Sequence, residues 1–152
     1  MTITIRRATE RDQEAINMLV RSERVNPFAL DWRRFLVATD ASGLVGTVQL
    51  RDHFDGSREL GSLVVRPDMR TRGVAARLIG ALMLFARGRV YMITRARFAS
   101  HYEHWGFSVL EASSAPVGIL GNYVFGRLVG IVCRALGRES NALAILTRQA
   151  SA

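Results

Sequence analysis

The segment from Leu63 to Ala75 carries the residue types best suited to chemistry: an apolar stretch runs into a loop with two arginines and a glycine. The apolar residues predict a buried strand, and Gly73 opens a second apolar stretch that predicts a helix. The first turn of a helix presents unpaired amides at the positive end of its dipole. Arg70 and Arg72 add charge, while Gly73 and Ala75 leave room for close backbone approach. The segment predicts a cradle for a diphosphate, although the same pattern also occurs as a plain connector.

Two familiar phosphate-binding motifs do not fit this segment. A Walker A loop needs a lysine, and all 21 basic residues of the chain are arginine. The Rossmann fingerprint needs three glycines at fixed spacing, and the segment has only Gly73. The lack of lysine also excludes a Schiff base on a lysine of this chain.

Metal and hydrolase chemistry find little support in the sequence. The candidate side chains are the three histidines and the single cysteine, His53, His101, His104 and Cys133. No clustered carboxylates complete a metal site around them, so we interpret the histidines as surface residues and predict no metal. Ser62 and Ser100 have no visible His/Asp partner, which argues against a hydrolase triad.

Two motifs resemble those of the GNAT family of acyl-CoA N-acyltransferases. Arg70-x-x-Gly73-x-Ala75 resembles the family's [Arg/Gln]-x-x-Gly-x-[Gly/Ala] signature, and residues 65–68 resemble its lead-in. Downstream, residues 98–107 resemble its Tyr-x-x-x-Gly-Phe segment, with Tyr102 at the tyrosine position. The resemblance covers about residues 3 to 111. The stretch from residue 60 to Phe107 also resembles small acetyltransferases of the acetylglutamate-synthase-like kind.

This resemblance implies an α/β (α+β) fold, with a mixed, largely antiparallel central sheet flanked by helices. It implies acetyl-CoA as co-substrate, with its pantetheine arm admitted between strands 60–65 and 90–94. The backbone of the first strand would bond the pantetheine, through Leu63, Val64 and Val65. The amides of the following loop and helix start would hold the diphosphate, namely those of Arg70, Thr71, Arg72, Gly73, Val74, Ala75 and Ala76.

The resemblance also implies two catalytic residues, because the acceptor ammonium must lose a proton and the departing thiolate must gain one. Tyr102 would be the general acid, since a phenol with a pKa of about 10 can protonate a thiolate. The alternative is a tyrosine that only packs at a helix end. Glu59 would be the general base, directly or through a water; the alternative is an exposed hairpin glutamate that pairs with Arg58. Without Glu59, bulk water would serve for an amine of modest pKa.

The apolar pattern predicts the order β-α-β-β-β-α-β-α-β for the elements that position these residues. A capping box formed by Thr9 and Asp12 precedes the first helix, which Asn26-Pro27 ends. The remaining predicted strands and helices are strands 35–38, 44–50, 60–65 and 90–94, a helix from Gly73 to Gly88, a short helix 100–105 and a strand after Gly106. In the family, the loop after the first helix usually lines the acceptor pocket. Here that loop is Glu23 to Trp32, and its mixture of Arg24, Asn26, Phe28 and Asp31 does not indicate the charge of the acceptor.

Residues 112–141 depart from the family, whose connection there is normally short, and predict an atypical helical insertion. We expect a helix from about Asn122 to Leu136 and a final strand 142–146. Arg127, Arg134 and Arg138 would share one side of it, and its packing side would consist of Val124, Leu128, Ile131, Val132 and Ala135. Its polar residues argue against a membrane span, and Cys133 would be buried and inert. The helix would form an extra layer or a dimer contact. If it covered the acceptor pocket, its arginines would favour a carboxylate or phosphate on the acceptor.

Composition and charge bound the remaining possibilities. The chain has 152 residues, 49% hydrophobic and 22% charged, which predicts a single globular domain over 1–152 rather than a disordered or coiled-coil protein. One cysteine and a start without a signal-like apolar stretch predict a cytoplasmic location. The net charge of +8 fits either a solvated surface or an anionic partner. No aromatic platform or helix-turn-helix accompanies the arginines, so we expect no nucleic acid partner.

We therefore expect a GNAT-like acetyltransferase that transfers an acetyl group from acetyl-CoA to a primary amine, on a small molecule or a peptide N-terminus. Transfer would proceed by direct attack in a ternary complex. We expect no membrane partner and leave a homodimer open. The alternatives are a CoA-binding fold without catalysis and a basic membrane-surface protein acting through helix 122–136.

Overall fold

The computed structural model describes residues 2–23, 28–137 and 142–150 of the chain. These residues form β1 (Thr4–Arg7), α1 (Gln13–Ser22), β2 (Phe35–Asp40), β3 (Gly43–Asp52), β4 (Arg58–Val65), α2 (Val74–Phe85), β5 (Arg89–Arg95), α3 (Ala99–Glu103), β6 (Ser108–Leu110), α4 (Val117–Ala135) and β7 (Leu143–Gln149). The mixed α/β fold with largely antiparallel strands and flanking helices is confirmed. The predicted helix break at Asn26-Pro27 lies outside the described residues, as do Arg24 and Arg138.

The chain divides into two compact units. The first unit holds the described residues of Met1–Arg51 and Leu60–Arg87, and the second holds those of Asp52–Glu59 and Gly88–Ala150. The single domain expected from the chain length stays a prediction.

In the first unit the strands lie in the order β1-β2-β3-β4. β1 and β2 pair antiparallel with Thr4 opposite Thr39, and β2 pairs antiparallel with β3. α1 buries Ile16 and Val20 completely on its inner side. α2 approaches β3 closely because Gly46 has no side chain: a Cβ there would lie 3.2 Å from Val74 Cγ1. This approach fixes the start of α2.

The predicted capping box forms, and it begins a single 3-10 turn that leads into α1. The amide and hydroxyl of Thr9 donate to Asp12 Oδ2 at 2.7 and 2.8 Å. Arg6 adds two hydrogen bonds to the same carboxylate, at 2.7 and 2.8 Å. The Arg6 guanidinium, followed by the Thr9 donors, holds the pKa of Asp12 well below its usual range.

In the second unit the strand order is β5-β7-β6. β5 pairs with β7 along its whole length, from Arg89 opposite Gln149 to Arg95 opposite Leu143. β7 runs three residues beyond the predicted strand, because its register with β5 continues to Gln149. The buried apolar residues of this unit are Val90, Met92, Phe107, Ile119, Ile145, Leu146 and Ala150.

Helix α4 differs from the prediction in where it begins. It starts at Val117 rather than near Asn122, after Pro116. Asp55, in the turn that links β3 to β4, accepts a hydrogen bond from the Gly118 amide at 2.7 Å. A distant carboxylate thus supplies the cap that the local sequence lacks.

The predicted packing face of α4 is wrong. Gly118 and Ile119 are buried, whereas Val124, Leu128, Ile131, Val132 and Ala135 are exposed. Gly126 lies so close to β7 that a Cβ there would meet Leu143 Cδ1 at 2.9 Å. The helix therefore packs through its small residues and turns its large apolar side chains outward. Cys133, expected to be buried, is half-buried.

Candidate functional site

The loop between β4 and α2 has the backbone form that its glycine predicts. Gly73 is the N-cap of α2 with φ +73°, and Thr71 has φ +64°. A Cβ on Gly73 would meet nothing within 4 Å, so the left-handed backbone conformation, rather than lack of space, favours glycine there. Arg70, Thr71, Arg72 and Gly73 are all exposed.

The first turn of α2 offers amides to a ligand. The helical hydrogen bonds begin with Arg77, whose amide donates to the Gly73 carbonyl at 3.1 Å. Glycine has no side chain with which to cap the preceding amides, those of Val74, Ala75 and Ala76. Together with the dipole of a 12-residue helix, these amides can bind an anion such as a diphosphate.

Arg70 stabilises the conformation of the loop between β4 and α2. Its Nε donates to the Val65 carbonyl at 3.2 Å, and its guanidinium pairs with Glu23 at the end of α1. Arg66 is paired likewise, with Asp68 at 2.7 Å, and this contact lowers the pKa of Asp68. The motif arginine therefore fixes the loop relative to β4 and α1, next to the backbone of Leu63, Val64 and Val65.

A buried polar network surrounds an irregularity in β4 that sequence reasoning missed. Ser62 has φ +47° inside the strand, a conformation rarely adopted by residues other than glycine. Thr47 Oγ1 donates to the Ser62 carbonyl at 2.9 Å, and Arg51 Nη2 donates to Ser62 Oγ at 3.2 Å. In the amide orientation that satisfies its neighbours, Gln49 accepts from Ser62 Oγ at 2.8 Å and donates to the Ala29 carbonyl at 3.1 Å.

The signal for this network was present in β3. Thr47, Gln49 and Arg51 alternate along the strand and therefore share one face. All three are buried, as is Ser62. Since buried polar groups must be hydrogen-bonded, the network holds the strained conformation of β4 in place.

Glu59 is buried in the second unit, with 5% of its surface exposed. His53 Nε2 lies 2.9 Å from Glu59 Oε2, and Asn122 Nδ2 donates to the same oxygen at 2.9 Å. Glu59 is therefore not exposed, contrary to the alternative of an exposed hairpin glutamate; Arg58 pairs with Asp52 at 3.3 Å. The interpretation of His53 as a surface residue is wrong, because the turn between β3 and β4 brings its Nε2 against the Glu59 carboxylate and leaves only 13% of the side chain exposed.

Tyr102 lies on α3 among aromatic rings. Its ring contacts Trp105 and Phe107 edge-on, with centroids 5.5 and 6.4 Å apart. Burial raises the pKa of Tyr102 above the ordinary value of a phenol, and a hydrogen bond with the Thr94 side chain partly offsets this. The phenol is therefore protonated at neutral pH. His101 and His104 on the same segment are exposed, as predicted.

The arginines of α4 lie on a different side of that helix from Asn122. Arg127 and Arg134 line a cavity of about 320 Å³ between α4 and the start of β7. Tyr123 and Leu143 complete much of its wall. Among the described residues, no three His, Cys, Asp or Glu side chains cluster in a way that could hold a metal ion.

A family model identifies the class of protein that this fold defines. The acetyltransferase (GNAT) domain model matches residues 31–109, just over half of the chain. The chain belongs to the GNAT acetyltransferase family. No curated protein matches the sequence.

Solved structures share the fold at low identity. N-acetylglutamate synthase from Neisseria gonorrhoeae, complexed with coenzyme A and N-acetyl-glutamate, has a TM-score of 0.75 at 18% identity; the match covers 100% of this chain and 36% of that one. This chain thus spans about a third of that synthase. Rv2747 from Mycobacterium tuberculosis, in complex with CoA, has a TM-score of 0.71 at 19% identity, covering 96% and 98% of the two chains. The ribosomal-protein-S18-alanine N-acetyltransferase from Escherichia coli has a TM-score of 0.64 at 16% identity, covering 99% and 96%.

Proposed function

We propose that this chain transfers an acetyl group from acetyl-CoA to a primary amine, on a small molecule or a peptide N-terminus, by direct attack in a ternary complex. The observation that carries the proposal is the left-handed Gly73 before α2, which opens a first turn of available amides within a GNAT fold. The presence of CoA in two of the solved neighbours supports it. A cytoplasmic location is part of the same proposal.

The first unit would bind the co-substrate. The amides of Val74, Ala75 and Ala76, with those of residues 70–73, would hold the diphosphate, and Arg72 would add charge from the exposed loop. The backbone of residues 63–65 would bond the pantetheine. Arg70 contributes indirectly, because its contacts with Val65 and Glu23 keep the loop in position.

Glu59 would accept the proton that the acceptor ammonium loses, directly or through a water. A carboxylate fixed at one oxygen by two side chains is held in a single orientation, as a base of this kind requires. His53 and Asn122 are then positioning residues. Asn122 comes from α4, so the insertion that departs from the family would help to orient the base.

Acetyl-CoA supplies the thioester whose carbonyl the amine attacks. Tyr102 would give its phenolic proton to the departing thiolate at the sulfur. The raised pKa of Tyr102 keeps that proton in place at neutral pH. Thr94 and the surrounding rings orient the phenol.

Two acceptor types have support. The likeness to N-acetylglutamate synthase favours an amino acid, and the likeness to the S18-alanine N-acetyltransferase favours a peptide N-terminus. A panel that contains amino acids, short peptides and simple amines separates them.

Calorimetric titration with acetyl-CoA is the first test. Wild type should bind acetyl-CoA with micromolar affinity, and Arg72→Glu should bind it far more weakly. The control is Arg11→Glu, which changes an exposed arginine outside the loop and should bind like wild type. No wild-type binding at millimolar acetyl-CoA would refute the proposal. Thiol release is then measured across the amine panel; tight binding without turnover on any amine would leave a CoA-binding module rather than an enzyme.

A further inference from the structure

Helix α4 presents an apolar face to solvent that no described part of the chain covers. Only 11% of the helix is buried, and its large outer side chains are between 46% and 69% exposed. We call this the outer face of α4; its principal residues are Val124, Phe125, Leu128, Ile131, Val132 and Leu136. Patches of this kind mark sites for a protein partner or a membrane.

By length and composition alone α4 could also cross a membrane, with 19 residues and a mean hydropathy of 1.3. Its inner side argues against that arrangement. Ile119 is fully buried, Asn122 donates to Glu59, and the Gly118 amide donates to Asp55. A spanning helix would lose these contacts and would place Arg127 in hydrocarbon, which is costly. The structure thus favours a helix that lies at a surface.

The charges beside the outer face of α4 indicate which kind of surface this face contacts. Residues 112–137 contain no acidic side chain, and Arg127 and Arg134 lie two helical turns apart on one flank of the outer face. Two copies packed through this face would bring arginines of like charge to one seam with no acidic partner from these residues. An anionic lipid surface complements both the arginines and the net charge of +8.

The flank of the outer face also offers a place for a headgroup. The cavity of about 320 Å³ lined by Arg127, Arg134 and Tyr123 lies beside it. Arginine pairs bind phosphate oxygens well, and the Tyr123 ring lies under the Arg127 guanidinium at 5.8 Å. Phe54, which is 86% exposed, precedes the Asp55 that caps α4 and adds an aromatic side chain near the start of the helix.

We propose that α4 is an interfacial anchor: its outer face enters the surface of an anionic phospholipid bilayer, and Arg127 and Arg134 take the headgroup phosphates. This revises the expectation of no membrane partner. It is independent of acetyl transfer, because Leu128 and both arginines lie outside the acetyl-CoA cradle.

Vesicle flotation of the full chain tests the proposal, with vesicles of phosphatidylcholine alone and of phosphatidylcholine mixed with phosphatidylglycerol. The protein should float with the mixed vesicles at low salt and much less at high salt or with phosphatidylcholine alone. Leu128→Asp should reduce the bound fraction about tenfold or more. The matched control is Leu84→Asp, which changes an 85% exposed leucine on α2 and should have no effect. Arg127→Gln with Arg134→Gln should remove the preference for the anionic vesicles.

Light scattering and calorimetry complete the test. Failure of the protein to float with either kind of vesicle would overturn the proposal. This holds whether light scattering then finds a monomer or finds a dimer that Leu128→Asp dissociates. Equal, salt-insensitive binding to both vesicles would also overturn it, because the arginines would then recognise nothing. Inorganic phosphate at millimolar concentration should not release the protein; release would identify a free-phosphate site instead. Leu128→Asp should bind acetyl-CoA like wild type in calorimetry. A failure of the proposed membrane binding can therefore be told apart from a failure of the proposed acetyl-CoA binding.

Discussion

At the scale of single residues, Glu59 is the most buried acidic side chain among the described residues. It is buried, and both His53 and Asn122 reach its Oε2. Leaving such a group without partners costs more than a surface contact, since a buried charge needs its hydrogen bonds. Substitutions of Glu59 and Asn122 therefore separate a catalytic carboxylate from a structural one.

Glu59→Gln should lower kcat for amine acetylation by about 10²-fold or more, the usual contribution of general acid–base catalysis. The amide keeps the shape of the side chain and one oxygen that can still accept from Asn122, so the affinity for acetyl-CoA should be unchanged. Asn122→Ala should lower kcat less, because the carboxylate would lose one of the two side chains that hold its orientation. The control is His104→Gln, an exposed histidine. A Glu59→Gln enzyme with the wild-type kcat would assign proton removal to bulk water.

Tyr102→Phe should lower kcat by roughly 10²-fold and leave acetyl-CoA binding intact, because the ring still packs against Trp105 and Phe107. The pKa of Tyr102 is raised, so the acid form persists to a higher pH than in a free phenol. The wild-type rate should therefore show no alkaline decline from this group below about pH 10. The measurement is thiol release between neutral and alkaline pH. Unchanged turnover in the variant would reduce Tyr102 to a packing residue.

At the scale of elements, the start of α2 depends on one backbone conformation and its middle on helix propensity. Gly73→Ala should destabilise the protein by about 1 kcal/mol and weaken acetyl-CoA binding, because alanine resists φ +73°. Gly80→Ala, at an exposed position of α2 with no atom within 4 Å of a new Cβ, should instead stabilise the protein by roughly 0.5–1 kcal/mol. Denaturant unfolding and calorimetry of the two variants measure both effects. Equal effects of the two substitutions would show that the left-handed cap is not required.

The start of α1 depends on an ionised carboxylate. Asp12→Asn should cost about 1–2 kcal/mol of unfolding free energy at neutral pH, since Arg6 and Thr9 lose their charged acceptor. The folded pKa of Asp12 is depressed, so its contribution is complete above the unfolded value of about 4 and is lost as pH falls toward the folded value. The unfolding free energy of wild type should therefore fall on acidification. That of Asp12→Asn should change less over the same pH range, because the variant lacks this carboxylate.

The control for that comparison is Asp52→Asn, an exposed partner of Arg58. A surface pair of this kind contributes little, so unfolding at neutral pH should change by less than about 1 kcal/mol. An acid dependence in Asp12→Asn equal to that of wild type would assign acid sensitivity to other carboxylates.

At the scale of the whole molecule, the charge of +8 acts on every anion that approaches it. Acetyl-CoA carries phosphates, whereas acetyl-pantetheine has the same thioester without them. The kcat/KM for acetyl-CoA should therefore fall as salt rises, because added salt screens the attraction. The kcat/KM for acetyl-pantetheine should be low and nearly independent of salt. Equal salt dependence for the two thioesters would mean that the phosphates contact nothing on this chain.

Local patterns made much of the fold predictable. The capping box, the apolar runs of β2 and β3, and the glycine before α2 each act within a few residues, so the sequence alone was enough to place them. The packing side of α4 was not predictable in this way. Its periodicity allows two opposite faces, and tertiary contacts select the one built from Gly118, Ile119 and Gly126. A Cβ on Gly118 would meet His53 in the turn between β3 and β4, and a Cβ on Gly126 would meet Leu143 of β7.

The sequence by itself determined the element order, the family motifs around Gly73 and Tyr102, and the absence of lysine chemistry. These follow from residue types and short spacings. The tertiary structure alone decided that Asn122 meets Glu59 across 63 residues and that Asp55 caps α4 across the same separation. It also decided that no residue within 2–23, 28–137 or 142–150 covers the outer face of α4. Such contacts depend on how elements distant in sequence pack together, and local sequence patterns do not determine the free energy of that packing.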